Sequence, residues 1–168
     1  VTAARLCVFA GVAVMSVDYR LAPEHPFPAA YDDVVASLRW LVANGAAVGI
    51  DGARLAIGGD SAGANIAAAA AILARDEGIS ALRFQLLSYP VTDAVTTTES
   101  YQLFATGYGL TCANMQWFID CYLPNEADRM DWRAAPLHAP SLRGVCPAFV
   151  ITCGYDPLRD EGRSYVHR

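Results

Sequence analysis

Residues 54–74 read Arg54-Leu-Ala-Ile-Gly-Gly-Asp-Ser-Ala-Gly-Ala-Asn-Ile-Ala-Ala-Ala-Ala-Ala-Ile-Leu-Ala74, and this stretch decides the fold. Leu55 to Ile57 is a short apolar run with the pattern of a buried strand. Ala62 to Ala74 is rich in alanine, the residue with the highest helix propensity. Between them, Gly59-Asp60-Ser61-Ala62-Gly63 is a Gly-x-Ser-x-Gly pentapeptide. A strand, a sharp turn carrying serine and a helix form the setting in which that pentapeptide carries chemistry. Strand and helix cross closely there, so small residues are expected on both sides and Ser61 is expected in strained backbone geometry. The helix directs its free N–H groups and positive dipole end at the same point, where an oxyanion could develop. Ser61 is therefore the candidate nucleophile, the Ala62 N–H the candidate oxyanion donor, and Gly59, Asp60 and Gly63 the elbow around them. A Gly-rich turn that binds nothing is the plainer alternative. A phosphate-cradling loop lacks its Lys-Ser/Thr pair, and the dinucleotide Gly-x-Gly-x-x-Gly spacing fails at Ile57 and Ala62.

The 168 residues amount to one domain. A hydrophobic content of 54% and a mean hydropathy of +0.26 suit parallel strands buried as continuous apolar runs. A net charge of −5, with no basic stripe, argues against a nucleic-acid partner. No apolar run reaches the length of about 18 that a membrane span requires. Leu6 to Met15 has the greasiness of a signal-peptide core. It leads directly into Ser16-Val-Asp-Tyr-Arg20 with no convincing processing site, and so reads as structure. Five cysteines without regular spacing suggest reduced thiols serving as small hydrophobes, in a cytoplasmic setting. No His/Cys cluster has zinc spacing, and neither a metal nor a cofactor is expected.

Along the chain, Val12 to Val17 is a β-branched run that predicts a buried strand. The prolines between Pro23 and Pro28 predict an extended loop. A helix is expected from Pro28 to Gly45, burying Tyr31, Val34, Val35, Leu38, Leu41 and Val42. Asp32 and Asp33 fall in its first turn and read as a solvated helix start. Leu82 to Tyr89 and Ala148 to Thr152 predict two further buried strands. Residues 94–111 look irregular. Thr111 is placed to cap a helix from Cys112 to about Leu123 that buries Met115, Phe118, Ile119 and Tyr122. Residues 124–146 look loopy. Strands alternating with helices imply an α/β fold with a mostly parallel sheet, whose sites lie at the carboxyl ends of the strands.

A serine hydroxyl needs a base to take its proton, and histidine held by a carboxylate is the usual one. In α/β-hydrolases the chain order is Ser, then Asp or Glu, then His. Asp156, after the last apolar run, is the natural acid, and Asp93, one strand earlier, is the runner-up. Asp160 reads as a cap or ion-pair group. His25 and His138 precede Asp156. His167 follows it, but the last helix carries it roughly 15 Å from the strand end. All three read as surface or loop residues. A Gly-rich loop ahead of Val12, which would complete an oxyanion hole, does not occur in this chain.

Four stretches carry a resemblance. They are Val17-Asp-Tyr-Arg-Leu-Ala-Pro-Glu-His-Pro-Phe-Pro-Ala-Ala-Tyr-Asp32, Gly58-Gly-Asp-Ser-Ala-Gly-Ala-Asn65, Ser88-Tyr-Pro-Val-Thr-Asp93 and Gly154-Tyr-Asp-Pro-Leu-Arg-Asp-Glu-Gly162. In order and spacing they resemble the bacterial hormone-sensitive-lipase-like esterases of the α/β-hydrolase superfamily. The resemblance implies hydrolysis of small or medium carboxylic esters through an acyl-enzyme, with Ser61 as nucleophile, Asp156 as acid and Ala62 N–H as oxyanion donor. It also implies a cap contribution from residues 94–123, with Tyr101, Phe104 and Trp117 either lining an acyl pocket or forming core. The family's His-Gly-Gly-Gly loop lies upstream of Val1 in this comparison, and its catalytic histidine downstream of Arg168. A central strand between the Val12–Val17 and Leu55–Ile57 runs is also missing. The chain thus reads as an internal piece of a longer enzyme, expected to be poorly soluble and nearly inactive alone. A non-catalytic ligand-binding module of the same fold and an amidase or deacetylase are the competing functions.

Overall fold

The computed structural model describes residues 2–168. Three parallel strands, β1 (Leu55–Asp60), β2 (Leu82–Ser88) and β3 (Ala148–Ile151), form a sheet in the order β1-β2-β3. The register aligns Asp60 with Ser88 and Ser88 with Ile151. The carboxyl ends of all three strands therefore finish along one line, and the segments leaving them emerge at the same edge. Of the helices, α1 spans Thr2–Ala10, α2 Ala29–Asn44 and α3 Ala62–Asp76. Further along, α4 spans Glu99–Leu103, α5 Cys112–Tyr122 and α6 Arg159–His167.

The alanines of α3 explain its position. Ala64, Ala68, Ala69 and Ala70 have no accessible surface, and only a helix with so little side-chain bulk can lie close to a sheet and a second helix at once. One side of α3 meets Leu87 of β2 and Tyr165 of α6 through Ala64, Ala67 and Ala68. Another meets Tyr31 and Val35 of α2 through Ala69 and Ala70. The helix expected to open near Pro28 begins at Ala29, with Tyr31, Val35 and Leu38 buried. Thr111 caps α5 as expected, its Oγ1 accepting from the Asn114 N–H at 3.0 Å.

Several expectations change. Residues 12–17 form no strand, and Val12, Val14 and Met15 are exposed. A strand is stabilised by a hydrogen-bonded neighbour, and among the described residues none lies alongside this run. The preceding residues form α1 instead. β2 and β3 are only half-covered: the helices cover the face bearing Leu55, Ile57 and Leu87, while Phe84, Phe149 and Ile151 are exposed. In α5 Met115 and Ile119 are buried, but Phe118 is exposed. The segment 94–111 contains the short helix α4, and two short 3-10 turns punctuate 124–146. Among the described residues no helix is long and apolar enough to cross a membrane.

Leu87 packs in the centre of the covered face with no accessible surface. Leu87→Ala is expected to lower unfolding free energy by about 2–5 kcal/mol, read as a lower urea midpoint in the complete protein.

Candidate active site

Ser61 joins β1 directly to α3 with φ 54° and ψ −117°, outside the regions a residue with a side chain normally occupies. Its N–H donates to the Ser88 carbonyl at 2.9 Å, which ties the bend to the neighbouring strand. Gly59 is what permits the bend. A Cβ there would stand 2.7 Å from the Ala64 nitrogen and closer still to the Gly63 carbonyl. Gly63 itself faces open space, so the expectation of a small residue on both sides holds at Gly59 alone. A serine at a helix start ordinarily spends its oxygen capping the helix. Here Ser61 makes no such bond, because the positive φ turns its hydroxyl away from the first turn. Ala62 is the first residue of α3 and is exposed, so its N–H has no intrahelical acceptor. Asp60 is also exposed.

Ser61 and Ala62 open on a cavity of about 390 Å³. Its walls come from the 19–22 loop, the start of α3, residues 91–94 and one face of α5. Met115, Trp117, Phe118 and Ile119 make most of that wall apolar. Trp117 thus lines the cavity. Tyr101 and Phe104 do not: Tyr101 is buried against Met115 and Leu158, and Phe104 packs edge-on to Tyr108 and Tyr155. Tyr19 also lines the cavity, and burial, aided by the Asp60 charge, raises its hydroxyl above the ordinary value. Arg20, at the rim, is closed by Asp33 through Nε at 3.0 Å and Nη2 at 2.8 Å. Asp33 is therefore an ion-pair partner, not merely a solvated helix start, and Arg20 holds its carboxyl below the usual range.

Asn65 was not singled out by sequence reasoning. One turn into α3, it is buried and lines the cavity, and its Nδ2 donates to Val91 O at 2.9 Å and Ala134 O at 2.7 Å. It pins two loops of the cavity wall to α3. The signal available was a lone amide in a run of alanines.

Asp93 and Asp156 follow the in-register ends of β2 and β3 by the same number of residues. Asp93 lines the cavity, and its Oδ1 is shared between His138 Nε2 at 2.9 Å and the Val95 N–H at 3.2 Å. Asp156 stands outside the cavity walls, half-buried, with Oδ1 accepting from the Leu158 N–H at 2.9 Å. Among the described residues no side chain donates to it. β1 and β3 flank β2, so the strands that lead to Ser61 and to Asp156 lie about 10 Å apart. His25 and His167 are exposed, His138 is taken by Asp93, and among the described residues no histidine is hydrogen-bonded to Ser61. Among the described residues no group of His, Cys, Asp and Glu could hold a metal ion.

Glu161 is a second residue that sequence reasoning passed over. It is 1% exposed on α6, and its Oε1 accepts from the N–H groups of Thr92 at 2.7 Å and Asp93 at 3.3 Å. The Tyr101 hydroxyl faces it, yet no hydrogen bond of normal geometry joins them; the hydroxyl and Oε2 are both buried without a partner. Burial, with help from the Asp93 charge, pushes the Glu161 carboxyl up to about 8, against the opposing pull of the Thr92 and Asp93 N–H groups.

Two consequences can be measured. Gly59→Ala is expected to push α3 off the strand end, lowering the melting temperature of the complete protein and distorting the Ser61 turn. The folded protein holds a proton on Glu161 that the unfolded chain releases near its ordinary value of 4.5. This contribution to stability is complete below that value and is lost as pH rises toward about 8, at no more than about 1.4 kcal/mol per pH unit. Glu161→Gln is expected to flatten the urea midpoint between about pH 5 and 8. Equal slopes in parent and variant would show that Glu161 is ionised throughout.

All 168 residues match the family model described as the alpha/beta hydrolase fold. Carboxylic ester hydrolase LipN of Mycobacterium tuberculosis is 45% identical over 166 residues, covering 95% of this chain and 44% of that protein. The ethyl acetate hydrolase of Pseudomonas putida is 42% identical over 158 residues, covering 94% of this chain and 50% of that protein. A hyperthermophilic esterase from the archaeon Pyrobaculum calidifontis superposes with a TM-score of 0.94 at 42% identity, over 98% of this chain and 53% of that one. The chain thus spans about half the length of the curated relatives it matches. With the serine on a strand-to-helix bend and the acids at the carboxyl edge of a parallel sheet, the match over its whole length makes this chain a member of the alpha/beta-hydrolase family, on the side of its hormone-sensitive-lipase-like esterases.

Proposed function

We propose that the protein carrying this chain hydrolyses carboxylic esters through an acyl-enzyme on Ser61. The observation that carries this reading is the Ser61 bend itself: a non-glycine residue at φ 54° whose hydroxyl is unused by the helix it starts and stands at a cavity wall. Backbone strain persists where the surrounding structure imposes it, and here it presents an oxygen to an apolar cavity.

In this mechanism the Ser61 oxygen attacks the ester carbonyl carbon while its proton passes to an imidazole. The Ala62 N–H donates to the oxygen that becomes negative in the tetrahedral intermediate. Collapse of the intermediate expels the alcohol, which takes the proton from the imidazole. Water then repeats the sequence on the acyl-enzyme and releases the acid. Asp156 is the group that orients the imidazole, because among the described residues its carboxylate has no side-chain partner, whereas that of Asp93 is already held by His138. The imidazole and a second oxyanion donor come from segments outside residues 1–168, as the family resemblance implies. Residues 94–123 act as part of a cap, since α5 supplies one wall of the cavity. A cavity of about 390 Å³ suits small or medium acyl esters, and the relative from Pseudomonas putida is named for ethyl acetate.

A serine-directed fluorophosphonate applied to the complete protein is expected to label Ser61 stoichiometrically, with no label in Ser61→Ala. Asp156→Asn is expected to lower kcat for 4-nitrophenyl butyrate by about 10³–10⁴-fold, and residues 1–168 alone to turn over little or none. A folded complete protein that takes no label would sink the reading.

A further inference from the structure

Two charged side chains line the cavity on which Ser61 opens, Arg20 and Asp93, and they differ in how they are closed. The Arg20 guanidinium is gripped by Asp33 through Nε and Nη2, and its backbone N–H also donates to Asp33 at 2.9 Å. Its charge is matched at close range. Asp93 has one oxygen, Oδ1, held by His138 Nε2 and by the Val95 N–H. Among the described residues Oδ2 accepts from nothing. His138 stands behind the wall and does not line the cavity. Asp93 is the acidic residue of the lining, and its side chain is 15% exposed. Glu161 lies behind the 92–93 backbone, fully buried, and is not part of the wall. Around Asp93 the walls are mostly apolar, which weakens the screening of any charge placed beside it.

We infer that Asp93 sets the charge preference of this cavity, disfavouring esters that carry a negative group and favouring those that carry a positive one. The inference rests on the ester-hydrolase reading of Ser61. His138 acts as a positioning residue, holding the Asp93 carboxylate against the wall while Glu161 holds the backbone that bears it.

The test compares esters of matched size on the complete protein. On the acyl side the pair is the 4-nitrophenyl monoester of glutaric acid against 4-nitrophenyl valerate. On the alcohol side it is choline butyrate against the uncharged 3,3-dimethylbutyl butyrate. In Asp93→Asn, the kcat/KM ratio of charged to neutral ester is expected to move about tenfold in at least one pair, upward for the anion or downward for the cation. Asp93→Ser, which retains an oxygen for the Val95 N–H, repeats the measurement if the first variant folds poorly. His138→Gln, which keeps both a hydrogen-bond donor and the carboxylate, is expected to retain the parent's preference. Ratios unchanged in both pairs would overturn the inference and leave the hydrolase reading standing, as would a loss of preference in His138→Gln equal to that in Asp93→Asn. A parent protein that hydrolyses neither neutral ester would overturn the hydrolase reading and this inference with it.

Discussion

At the end of β1 the chain must pass from a strand into a helix with no intervening loop, and the two backbones come within reach of each other. Gly59 backs onto the carbonyl of Gly63, leaving no space for a side chain between them. That closeness forces Ser61 to φ 54°. The same geometry takes the serine oxygen away from the helix cap and leaves the first N–H groups of α3 free. An uncommitted serine oxygen and uncommitted helix N–H groups are two results of one steric constraint.

The rest of the fold holds that bend in place. α3 can lie against β1 and β2 because its buried residues are mostly alanine, and it can take α2 and α6 on its other sides for the same reason. Asn65 then ties the helix to the carbonyls of Val91 and Ala134, so the cavity wall is fixed to the helix that Ser61 starts. Glu161 performs a similar task from α6. It accepts the Thr92 and Asp93 N–H groups and so fixes the segment leaving β2 against the segment leaving β3. Asp160 adds to this by accepting from the Ser100 N–H at 2.8 Å, and Ser100 Oγ in turn donates to the Pro157 carbonyl at 2.6 Å. The loop that carries Asp156 is therefore fastened to α4.

Reading the sequence worked where the signal was local. The β1–bend–α3 unit, the start of α2 at Ala29 and the Thr111 cap of α5 each depend on a few adjacent residues, and each lies where those residues indicate. It failed where the outcome depended on a distant neighbour. Val12 to Val17 has the composition of a strand, but composition does not supply the adjoining ladder, and the run is exposed. β2 and β3 have the apolar character of fully buried strands, yet only one face is covered by the helices of this chain. Tyr101 and Phe104 have the right chemistry for an acyl pocket, but they pack into separate clusters, while α5 supplies the apolar wall.

The sequence by itself determined the parallel α/β class, the identity of the bend and the two strand-end aspartates, because backbone sterics and hydrophobic periodicity act over a few residues at a time. Only the tertiary structure gave those aspartates different partners. Which of them meets a histidine depends on where His138, many residues from Asp93, comes to rest, and no pattern within a short window encodes that meeting. It likewise decided that Glu161 and Asn65 are buried against backbone groups from other elements, since burial of a polar side chain is a property of the packed chain and not of its neighbours in sequence.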